Sequence, residues 1–441
     1  MHRRNFLETI SGAVTGTMLF SSAALEKIHA VSERTAQLSP QEAAKDESLW
    51  REVQQAFSVN RNIINLDNGN VCPSPRNVTE AMVRYTWQLQ DAPGYMLWEI
   101  LEPLLSTVRV GLAKLFGCEA EEIALVRNAT EALDAVLLGV ELRPNDEILM
   151  SMRDYWAMHD AVDQRARGEG IVVKKIKDLP ILPKSMDELV KIYEQAITPK
   201  TRLILITHPT HQNGQLFPVK QICEIAHQKG IEVVVDGAQS FAHIDYKQSD
   251  LGCDYFGTSL HKWLCAPIGT GMLYIRKDKI GKVQQLVPAT STRVKNYNER
   301  IYKFEDSGTR SVAATLAITQ ALAFHNSIGS KRKEERLRYL THYWAERIRK
   351  LPNARFFTSL NLEMSCGLAT FDLKGVESIP LILYLWQQHR IVTQYISGSR
   401  NRVPEIKGIR VTPNVCTTLD ELDYFCEIIE KVAKQGLPKS A

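Results

Sequence analysis

Residues 233–275 read VVVDGAQSFAHIDYKQSDLGCDYFGTSLHKWLCAPIGTGMLYI. The segment opens on an apolar run that ends at Asp236 and closes on a second apolar run, Gly271–Ile275. Both runs have the length and composition of buried strands. Lys262 lies between them, among apolar and small polar residues. A lone lysine is usually a solvated surface charge, so a lysine in these surroundings indicates a chemical role.

The chain before and around this segment alternates short apolar runs with helical patterns. Strands are predicted at Glu122–Val126, Glu147–Met150, Ile171–Ile176, Leu203–Thr207, Glu232–Val235 and Gly271–Ile275. Helices are predicted between them, for example at Thr130–Val140 and Val219–Lys229. Short apolar strands that alternate with helices are typical of a mainly parallel sheet covered on both faces. The sequence therefore predicts an α/β fold here.

From about Ala313 the pattern changes to long helices with weaker strands. The predicted helices are Ala313–Ser327, Lys331–Lys350 and Leu419–Lys434, and the predicted strands are Ser365–Asp372 and Gly408–Thr412. This pattern indicates a second, smaller α+β domain. At the other end, residues 31–60 are polar and helical in character, which predicts a mobile N-terminal arm.

Short segments that contain polar residues lie at the ends of four predicted strands. They are Asn128, Ala129 and Thr130 after the first strand, His208 after Leu203–Thr207, Asp236 and Gln239 at and after Glu232–Val235, and Lys262 before Gly271–Ile275. Ligands of open α/β sheets bind beyond the carboxyl ends of the strands. We therefore expect these four segments to meet at one edge of the sheet.

Residues 128–130 open a helix, and Asp236 ends an apolar strand. The free N–H groups and positive dipole of a helix N-terminus favour phosphate, although the segment alone is more simply a helix cap. A partly desolvated Asp236 requires a cationic partner, and a protonated pyridine nitrogen is one. Taken alone, Asp236 is more simply a cap or a surface carboxylate.

Lys262 is able to form a Schiff base if its surroundings lower its pKa. Ser259 and His261, its neighbours in the sequence, are able to hold a phosphate of the same ligand. A lysine, a carboxylate and a phosphate site together suit pyridoxal phosphate, which needs all three.

The quoted segment resembles the class V aminotransferase family of fold type I, which includes isopenicillin N epimerase, cysteine desulfurases and kynureninase. The stretch HKWLCAP with the glycine-rich strand entry after it is most similar to the isopenicillin N epimerase branch. The resemblance extends from about Leu66 to Glu430. It implies a large domain built on a mainly parallel seven-stranded sheet, at residues 76–310, and a smaller α+β domain, at residues 311–441. An N-terminal arm at residues 31–75 precedes them.

The resemblance implies roles around the cofactor pyridoxal phosphate. Lys262 is the Schiff-base lysine and moves the proton between Cα and the cofactor, and Asp236 keeps the pyridine nitrogen protonated. Gln239 donates a hydrogen bond to the phenolic oxygen, and His208 lies near that oxygen. The residues implied to hold the phosphate are Ala129, Thr130, Ser259 and His261.

Three outer residues complete the implied site. Tyr155 stacks on the cofactor ring, with Trp156 as a competitor for that role, and Arg410 grips the substrate carboxylate. Thr309 reaches a phosphate in the neighbouring subunit, which implies a homodimer. Each also has an ordinary interpretation: a core ring for Tyr155, a surface ion pair for Arg410 and a plain loop residue for Thr309.

The predicted function is that of a pyridoxal-phosphate enzyme acting at the Cα of an amino acid or a peptide-like amine, by transamination or epimerisation. Epimerisation needs proton transfer on both faces of Cα, and the sequence identifies no second base beside Lys262. Residues 391–409 contain Tyr395, Ser397, Ser399 and Arg400 but no cysteine, which disfavours persulfide chemistry. A C–S or β-eliminating lyase and a non-catalytic cofactor-binding protein are the alternatives.

The composition and the N-terminus set the remaining expectations. The formal charge of +4 on 441 residues gives no reason to expect a nucleic-acid partner. The eight cysteines include no CxxC pair, so no zinc or redox motif is predicted. Residues 1–30 contain Arg3 and Arg4 before Asn-Phe-Leu and a moderately apolar stretch too weak for a membrane span. This resembles a twin-arginine signal and predicts a periplasmic protein; a disordered basic tail is the alternative.

Overall fold

A seven-stranded sheet forms the centre of the computed structural model, which describes residues 23–288, 296–397 and 403–438. The described strands are β1 (Ile64–Asn65), β2 (Ile123–Val126), β3 (Glu147–Ser151), β4 (Val172–Ile176), β5 (Thr201–Thr207), β6 (Glu232–Asp236), β7 (Tyr255–Ser259), β8 (Gly271–Ile275), β9 (Ala354–Phe356), β10 (Ala369–Leu373), β11 (Ile391–Val392), β12 (Gln394–Ile396) and β13 (Gly408–Val411). The central sheet has the order β2-β8-β7-β6-β5-β3-β4.

Helices cover this sheet and build the rest of the molecule. The described α-helices are α1 (Ala23–Arg34), α2 (Pro40–Ala43), α3 (Glu47–Gln55), α4 (Arg76–Asp91), α5 (Pro93–Tyr95), α6 (Leu105–Phe116), α7 (Ala129–Gly139), α8 (Trp156–Glu169), α9 (Met186–Ala196), α10 (Val219–Gln228), α11 (Gln248–Leu251), α12 (Ala313–Leu316), α13 (Ile318–Ile328), α14 (Ser330–Ile348), α15 (Ser378–His389) and α16 (Leu419–Gln435).

Strand β8 runs antiparallel to its neighbours β2 and β7, and the other adjacent pairs of the central sheet are parallel. Successive residues of β5 alternate between two cores: Leu203 and Leu205 pack in one, and Ile204 and Ile206 in the other. Both faces of the sheet are therefore covered. The predicted α/β fold with a mainly parallel seven-stranded sheet is confirmed.

The six strands predicted for this sheet are present, with ends that differ by at most two residues. Strand β7, Tyr255–Ser259, was not predicted from the sequence and lies between β6 and β8. Its sequence YFGTS carries only two large apolar residues, so its composition does not indicate a strand. All five of its residues are nevertheless buried, because neighbours cover them on both sides.

The C-terminal part carries a four-stranded antiparallel sheet with the order β12-β13-β10-β9. Helices α14 and α16 pack on it through a core that contains Trp344, Phe371 and Phe425. This arrangement matches the predicted smaller α+β domain. The boundaries at residues 30, 75 and 310 remain predictions.

The predicted N-terminal arm is packed against the rest of the protein. Trp50 and Val53 of α3 are fully buried in one cluster with Trp263 and Phe324. The indole N–H of Trp50 also donates to the carbonyl of Ala43 at 2.8 Å. These contacts correct the expectation of a mobile arm, because apolar side chains of α3 complete the core behind the Lys262 loop.

Two close approaches shape the edge of the sheet where the predicted site lies. A Cβ on Gly271 would lie 2.6 Å from the backbone nitrogen of Asn128, so only glycine lets the start of α7 sit against β8. A Cβ on Gly237 would lie 1.9 Å from the ring of Phe256. Gly271 thus lets the start of α7 lie against β8, and Gly237 lets the chain after β6 lie against the ring of Phe256.

Among the residues described, no helix combines the length and the apolarity that a membrane span requires. Arg3 and Arg4 of the predicted signal lie outside the described ranges.

Candidate active site

A cavity of about 260 Å³ opens at the carboxyl ends of the central strands. The residues predicted for the site that line it are Ala129, Thr130, Tyr155, Asp236, Gln239, Ser259, His261 and Lys262. Three polar lining residues that the prediction missed are Asn70, Thr207 and His211. The structure thus brings most of the predicted side chains together around one space.

Asp236 is the last residue of β6 and is 3 % exposed. Its Oδ1 accepts a hydrogen bond from the N–H of Ala238 at 3.0 Å. Burial raises the pKa of this carboxyl, and the Ala238 N–H and the charge of Lys262 act in the opposite direction. A buried carboxylate of this kind is stabilised by a cation placed in the cavity.

Lys262 lies in the loop between β7 and β8 and is half-buried. Burial lowers the pKa of its amine to about 8, and the guanidinium of Arg410 acts in the same direction while Asp236 opposes it. A lysine with this pKa has a substantial neutral fraction near neutral pH, whereas an ordinary lysine has almost none. Its amine is therefore suited to nucleophilic attack and to proton transfer.

Gln239 is held in one orientation by hydrogen bonds at both ends of its side-chain amide. Its Nε2 donates to the carbonyl of Gly69 at 2.8 Å, and its Oε1 accepts from the indole N–H of Trp263 at 2.9 Å. An indole N–H can only donate a hydrogen bond, so the oxygen of the Gln239 amide must face Trp263. The NH₂ end, which has a second N–H, is the end left for the cavity.

The helix start and the Lys262 loop supply hydrogen-bond donors next to each other. Asn128 caps α7 by accepting from the N–H of Glu131 at 2.8 Å. The hydroxyl of Ser259 accepts from the N–H of Ala129 at 2.9 Å, so its own O–H is available as a donor. His261 Nδ1 contacts the carbonyl of Thr270 at 3.2 Å and must donate to it. This side of the cavity suits an anion.

Arg410 lies behind the cavity wall rather than on it. Its guanidinium is buried and donates to the carbonyl of His211 at 2.9 Å, to Oδ1 of Asp67 at 3.0 Å and to Oδ1 of Asn70 at 3.0 Å. Its Nε is buried with no hydrogen-bond partner among the described residues. The simple surface ion pair is therefore excluded, since the guanidinium is buried and bonded to two lining residues.

His208 and Thr309 do not line the cavity. His208 is buried, its Nδ1 accepts from the N–H of Phe217 at 3.1 Å, and burial lowers its pKa to about 4. The cavity position on this loop is taken by His211, three residues later. Thr309 is exposed and borders a separate cavity with Arg109 and Glu305.

Tyr155 precedes α8 and reaches the cavity, whereas its neighbour Trp156 does not line it. The ring of Tyr155 lies edge-on to the ring of His211, with centroids 5.0 Å apart. Of the two aromatic residues considered for a stacking role, Tyr155 lines the cavity and Trp156 does not; the stacking role itself stays a prediction.

All eight cysteines are free thiols, and seven of them are buried. Within the described ranges, no group of three or more His, Cys, Asp or Glu side chains is arranged to hold a metal ion. Ser399 and Arg400 of the loop after β12 lie outside those ranges.

Comparison with known proteins places this fold and site in a family. The model of the family described as "Aminotransferase class-V" matches residues 64–418. Isopenicillin N epimerase of Amycolatopsis lactamdurans is 30% identical over 404 residues, which are 88% of this chain and 99% of the relative. A probable cysteine desulfurase of Halalkalibacterium halodurans is 30% identical over 273 residues, 59% of this chain and 64% of the relative. A solved apo cysteine desulfurase of Thermococcus onnurineus NA1 superposes with a TM-score of 0.77 at 21% identity, covering 88% of this chain and 98% of that one.

The chain belongs to the class V aminotransferase family. The resemblance to this family and to isopenicillin N epimerase is confirmed, and so is pyridoxal phosphate, the cofactor of this class of enzyme. The cavity fits this group: Asp236 suits the pyridinium nitrogen, Ser259 and the start of α7 suit the phosphate, and Lys262 suits the aldehyde.

Because Trp263 orients Gln239, replacing it is expected to weaken cofactor binding. Trp263→Phe leaves Gln239 Oε1 buried without a donor, at a cost of about 1–3 kcal/mol, and lets the amide turn. The apo-protein is expected to bind pyridoxal phosphate at least about fivefold more weakly, measured by fluorescence titration. Trp50→Phe, in the same buried cluster, controls for lost ring volume. Equal affinities of the two variants would contradict this role of the indole N–H.

Proposed function

We propose that the protein removes and returns the proton at the Cα of an amino acid, or of an amino group on a peptide-like metabolite. The net reaction is then transamination or epimerisation. The observation that carries this proposal is that Lys262, Asp236 and the anion-binding residues at 128–130 and 259–261 meet in one cavity. The relationship to isopenicillin N epimerase supports it.

Pyridoxal phosphate, when bound, draws electrons away from the Cα of the amino acid and so makes its proton acidic. Asp236 holds a proton on the pyridine nitrogen, since its carboxylate is buried and needs a cation. Lys262 is the base that takes the Cα proton, because its pKa of about 8 lets its amine accept and release a proton near neutral pH.

Arg410 is the residue that we propose for the substrate carboxylate. Its guanidinium is held by the carbonyl of His211 and by Asp67, and its Nε has no partner among the described residues. A carboxylate would take the place of the Asn70 or Asp67 contact. Such a pairing would fix the direction of the Cα–H bond relative to Lys262.

An absorbance spectrum of the purified protein, recorded with and without a pool of L-amino acids, tests the proposal. Loss of the visible cofactor band without a 2-oxo acid acceptor indicates transfer of the amino group. A band that persists while Cα takes up deuterium from D₂O indicates epimerisation or exchange. A band that no amine disturbs, with no deuterium uptake, contradicts the proposal and favours the non-catalytic binding protein.

A C–S or β-eliminating lyase is the second candidate. The kinship with a probable cysteine desulfurase favours it, and the same cavity residues would serve it. The absence of cysteine from residues 391–409 disfavours a persulfide on that loop. Release of pyruvate and ammonia from a cysteine or cystine substrate, without any 2-oxo acid acceptor, would identify this activity.

The lowered pKa of Lys262 predicts how cofactor loading depends on pH. Only the neutral amine attacks an aldehyde, so the rate at which apo-protein takes up pyridoxal phosphate is expected to rise about tenfold per pH unit and to level off near pH 8. Stopped-flow absorbance between pH 6 and 10 measures this rate, and n-butylamine serves as the reference amine. A rise that continues to pH 10, as for butylamine, would contradict a lowered pKa.

We also propose that residues 1–30 export the protein through a twin-arginine route, after it has folded and taken up its cofactor. The pair Arg3 and Arg4 before Asn-Phe-Leu supports this. Cell fractionation of the wild type and of an Arg3→Lys, Arg4→Lys variant tests it, since the variant should stay in the cytosol.

We further propose a homodimer in which Thr309 reaches a phosphate in the second subunit. Thr309 is exposed and does not line the cavity of its own chain, which leaves it available to a partner. Sedimentation of the cofactor-loaded protein tests this.

A further inference from the structure

Epimerisation requires two groups that transfer protons, one on each face of Cα. Lys262 accounts for one face, and the sequence shows no second group. The structure adds a titratable side chain that the sequence analysis overlooked: the imidazole of His211 lines the same cavity as Lys262.

The order of the strands places these two residues on opposite sides of Asp236. Strand β6, which ends at Asp236, lies between β7 and β5 in the central sheet. Lys262 enters the cavity from the loop after β7, and His211 enters it from the loop after β5. The amine and the imidazole therefore reach the cavity from loops on opposite sides of Asp236.

The loop that carries His211 is tied down on several sides. The backbone N–H of Gly214 donates to the carbonyl of Thr210 at 2.9 Å and closes a turn around His211. Asn213 Nδ2 donates to the carbonyl of Phe357 at 2.8 Å, and Thr370 donates to the carbonyl of Gln212 at 2.5 Å. The small domain thus holds the turn, and little reorganisation is needed to position the imidazole.

The surroundings of His211 place it where the substrate carboxylate is expected. Its carbonyl accepts from Arg410 at 2.9 Å, and its ring packs edge-on against Tyr155, at an interplanar angle of 89°. The side chain is 8 % exposed. Imidazole is the side chain whose ordinary pKa lets it hold or release a proton near neutral pH, and here it lies between the stacking residue and the carboxylate-binding arginine.

We propose that His211 is the second proton-transfer residue and that the enzyme inverts the configuration at Cα. This inference rests on the proposed function. In one direction Lys262 takes the proton from one face of Cα and the imidazolium of His211 delivers a proton to the other face. One C–H bond breaks and one forms. Lys262 gains the proton that His211 loses, and exchange with water restores both groups.

The test compares His211→Gln with His208→Gln in the cofactor-loaded full chain. His208 is a buried histidine on the same loop that does not line the cavity. Each protein is incubated in D₂O with a pool of the proteinogenic L-amino acids and of small peptides that carry a free α-amino group. Deuterium at Cα is measured by mass spectrometry, and D-enantiomers by chiral chromatography.

The wild type and His208→Gln are expected to form deuterated D-amino acid from one or more members of the pool. His211→Gln is expected to lose this inversion by at least about 100-fold. It should still place deuterium at Cα with retention, because Lys262 serves that face alone. The affinity of its apo-protein for pyridoxal phosphate is expected to stay within about twofold of the wild type, since no phosphate or ring contact is removed.

Three results would overturn the inference. If the His211→Gln variant inverts Cα as fast as the wild type, His211 is not the second proton-transfer residue, and the proposed function is unaffected. A wild type that exchanges Cα protons without forming D-enantiomer excludes inversion altogether. No deuterium uptake by the wild type contradicts the proposed function itself. If thermal unfolding shows that His211→Gln is not folded, His211→Asn, which is smaller and also lacks a titratable group, takes its place in the same comparison.

Discussion

Lys262→Ala is expected to abolish the covalent attachment of pyridoxal phosphate and to lower turnover at Cα by at least about 10³-fold. The variant loses the amine that burial holds at a pKa of about 8, and with it both the attachment point and the base. Borohydride reduction followed by intact-mass measurement shows whether the cofactor is covalently bound. Peptide mapping of the wild type should place the label on Lys262.

The matched control for this variant is Lys303→Ala. Burial also lowers the pKa of Lys303 to about 8, but its amine donates to the carbonyls of Ile280 and Asn298 at 2.8 Å and does not line the cavity. Both lysines therefore have a lowered pKa, and they differ in that Lys262 lines the cavity and Lys303 does not. Retention of a covalent label in Lys262→Ala, or a label on Lys303 in the wild type, would disprove the assignment.

Asp236→Asn is expected to act in opposite directions on the apo-protein and on the loaded enzyme. In the apo-protein, burial raises the pKa of Asp236 above its unfolded value, so the folded state binds more protons between those two pKa values. Stability conferred by this group is therefore lost as the pH rises through that window. Asparagine removes the buried charge, so the apo-variant should unfold at the same temperature or higher.

In the loaded enzyme the same substitution leaves the pyridine nitrogen without its carboxylate. Turnover is expected to fall by about 10²- to 10³-fold, and the rise in unfolding temperature on adding pyridoxal phosphate should shrink. Differential scanning calorimetry of apo and loaded protein at pH 7 measures the unfolding temperatures, and the rate of deuterium uptake at Cα measures turnover. Asp154→Asn is the control. Burial also raises the pKa of the Asp154 carboxyl, to about 7. This carboxyl accepts hydrogen bonds from the N–H groups of Ser151 and Thr207 and does not line the cavity.

That control should destabilise the apo-protein, because the amide keeps one acceptor oxygen and sets its NH₂ group against the second buried N–H, which loses its acceptor. A fall in apo-protein stability on Asp236→Asn as large as that on Asp154→Asn would mean that Asp236 serves the fold rather than the cofactor.

The residues that the sequence located correctly owe their positions to short-range pattern. Asp236 ends an apolar strand, Asn128 caps the helix that follows another, and Lys262 precedes a third. The carboxyl ends of parallel strands meet at one edge of a sheet. An apolar run and the polar residue after it therefore sufficed to predict which side chains surround the cavity.

Contacts between distant parts of the chain decided the rest. His208 and His211 both follow β5, and their sequence does not distinguish them. His211 takes the cavity position in a turn held by Phe357 and Thr370, whose contacts span 144 and 158 residues. Arg410 is turned toward Asp67 over 343 residues. Such hydrogen bonds depend on how the small domain docks, and no local pattern encodes that docking.

The sequence by itself thus determined the α/β class and the position of Asp236 and Lys262 at one edge of the sheet, because strand ends and their polar residues are local features. The family and the cofactor followed from the resemblance of residues 233–275 to known sequences. Only the tertiary structure decided that β7 completes the sheet, that Trp263 orients Gln239 and that His211 lines the same cavity as Lys262. Each of these depends on burial or hydrogen bonding between segments that are separated in the chain and adjacent only after folding.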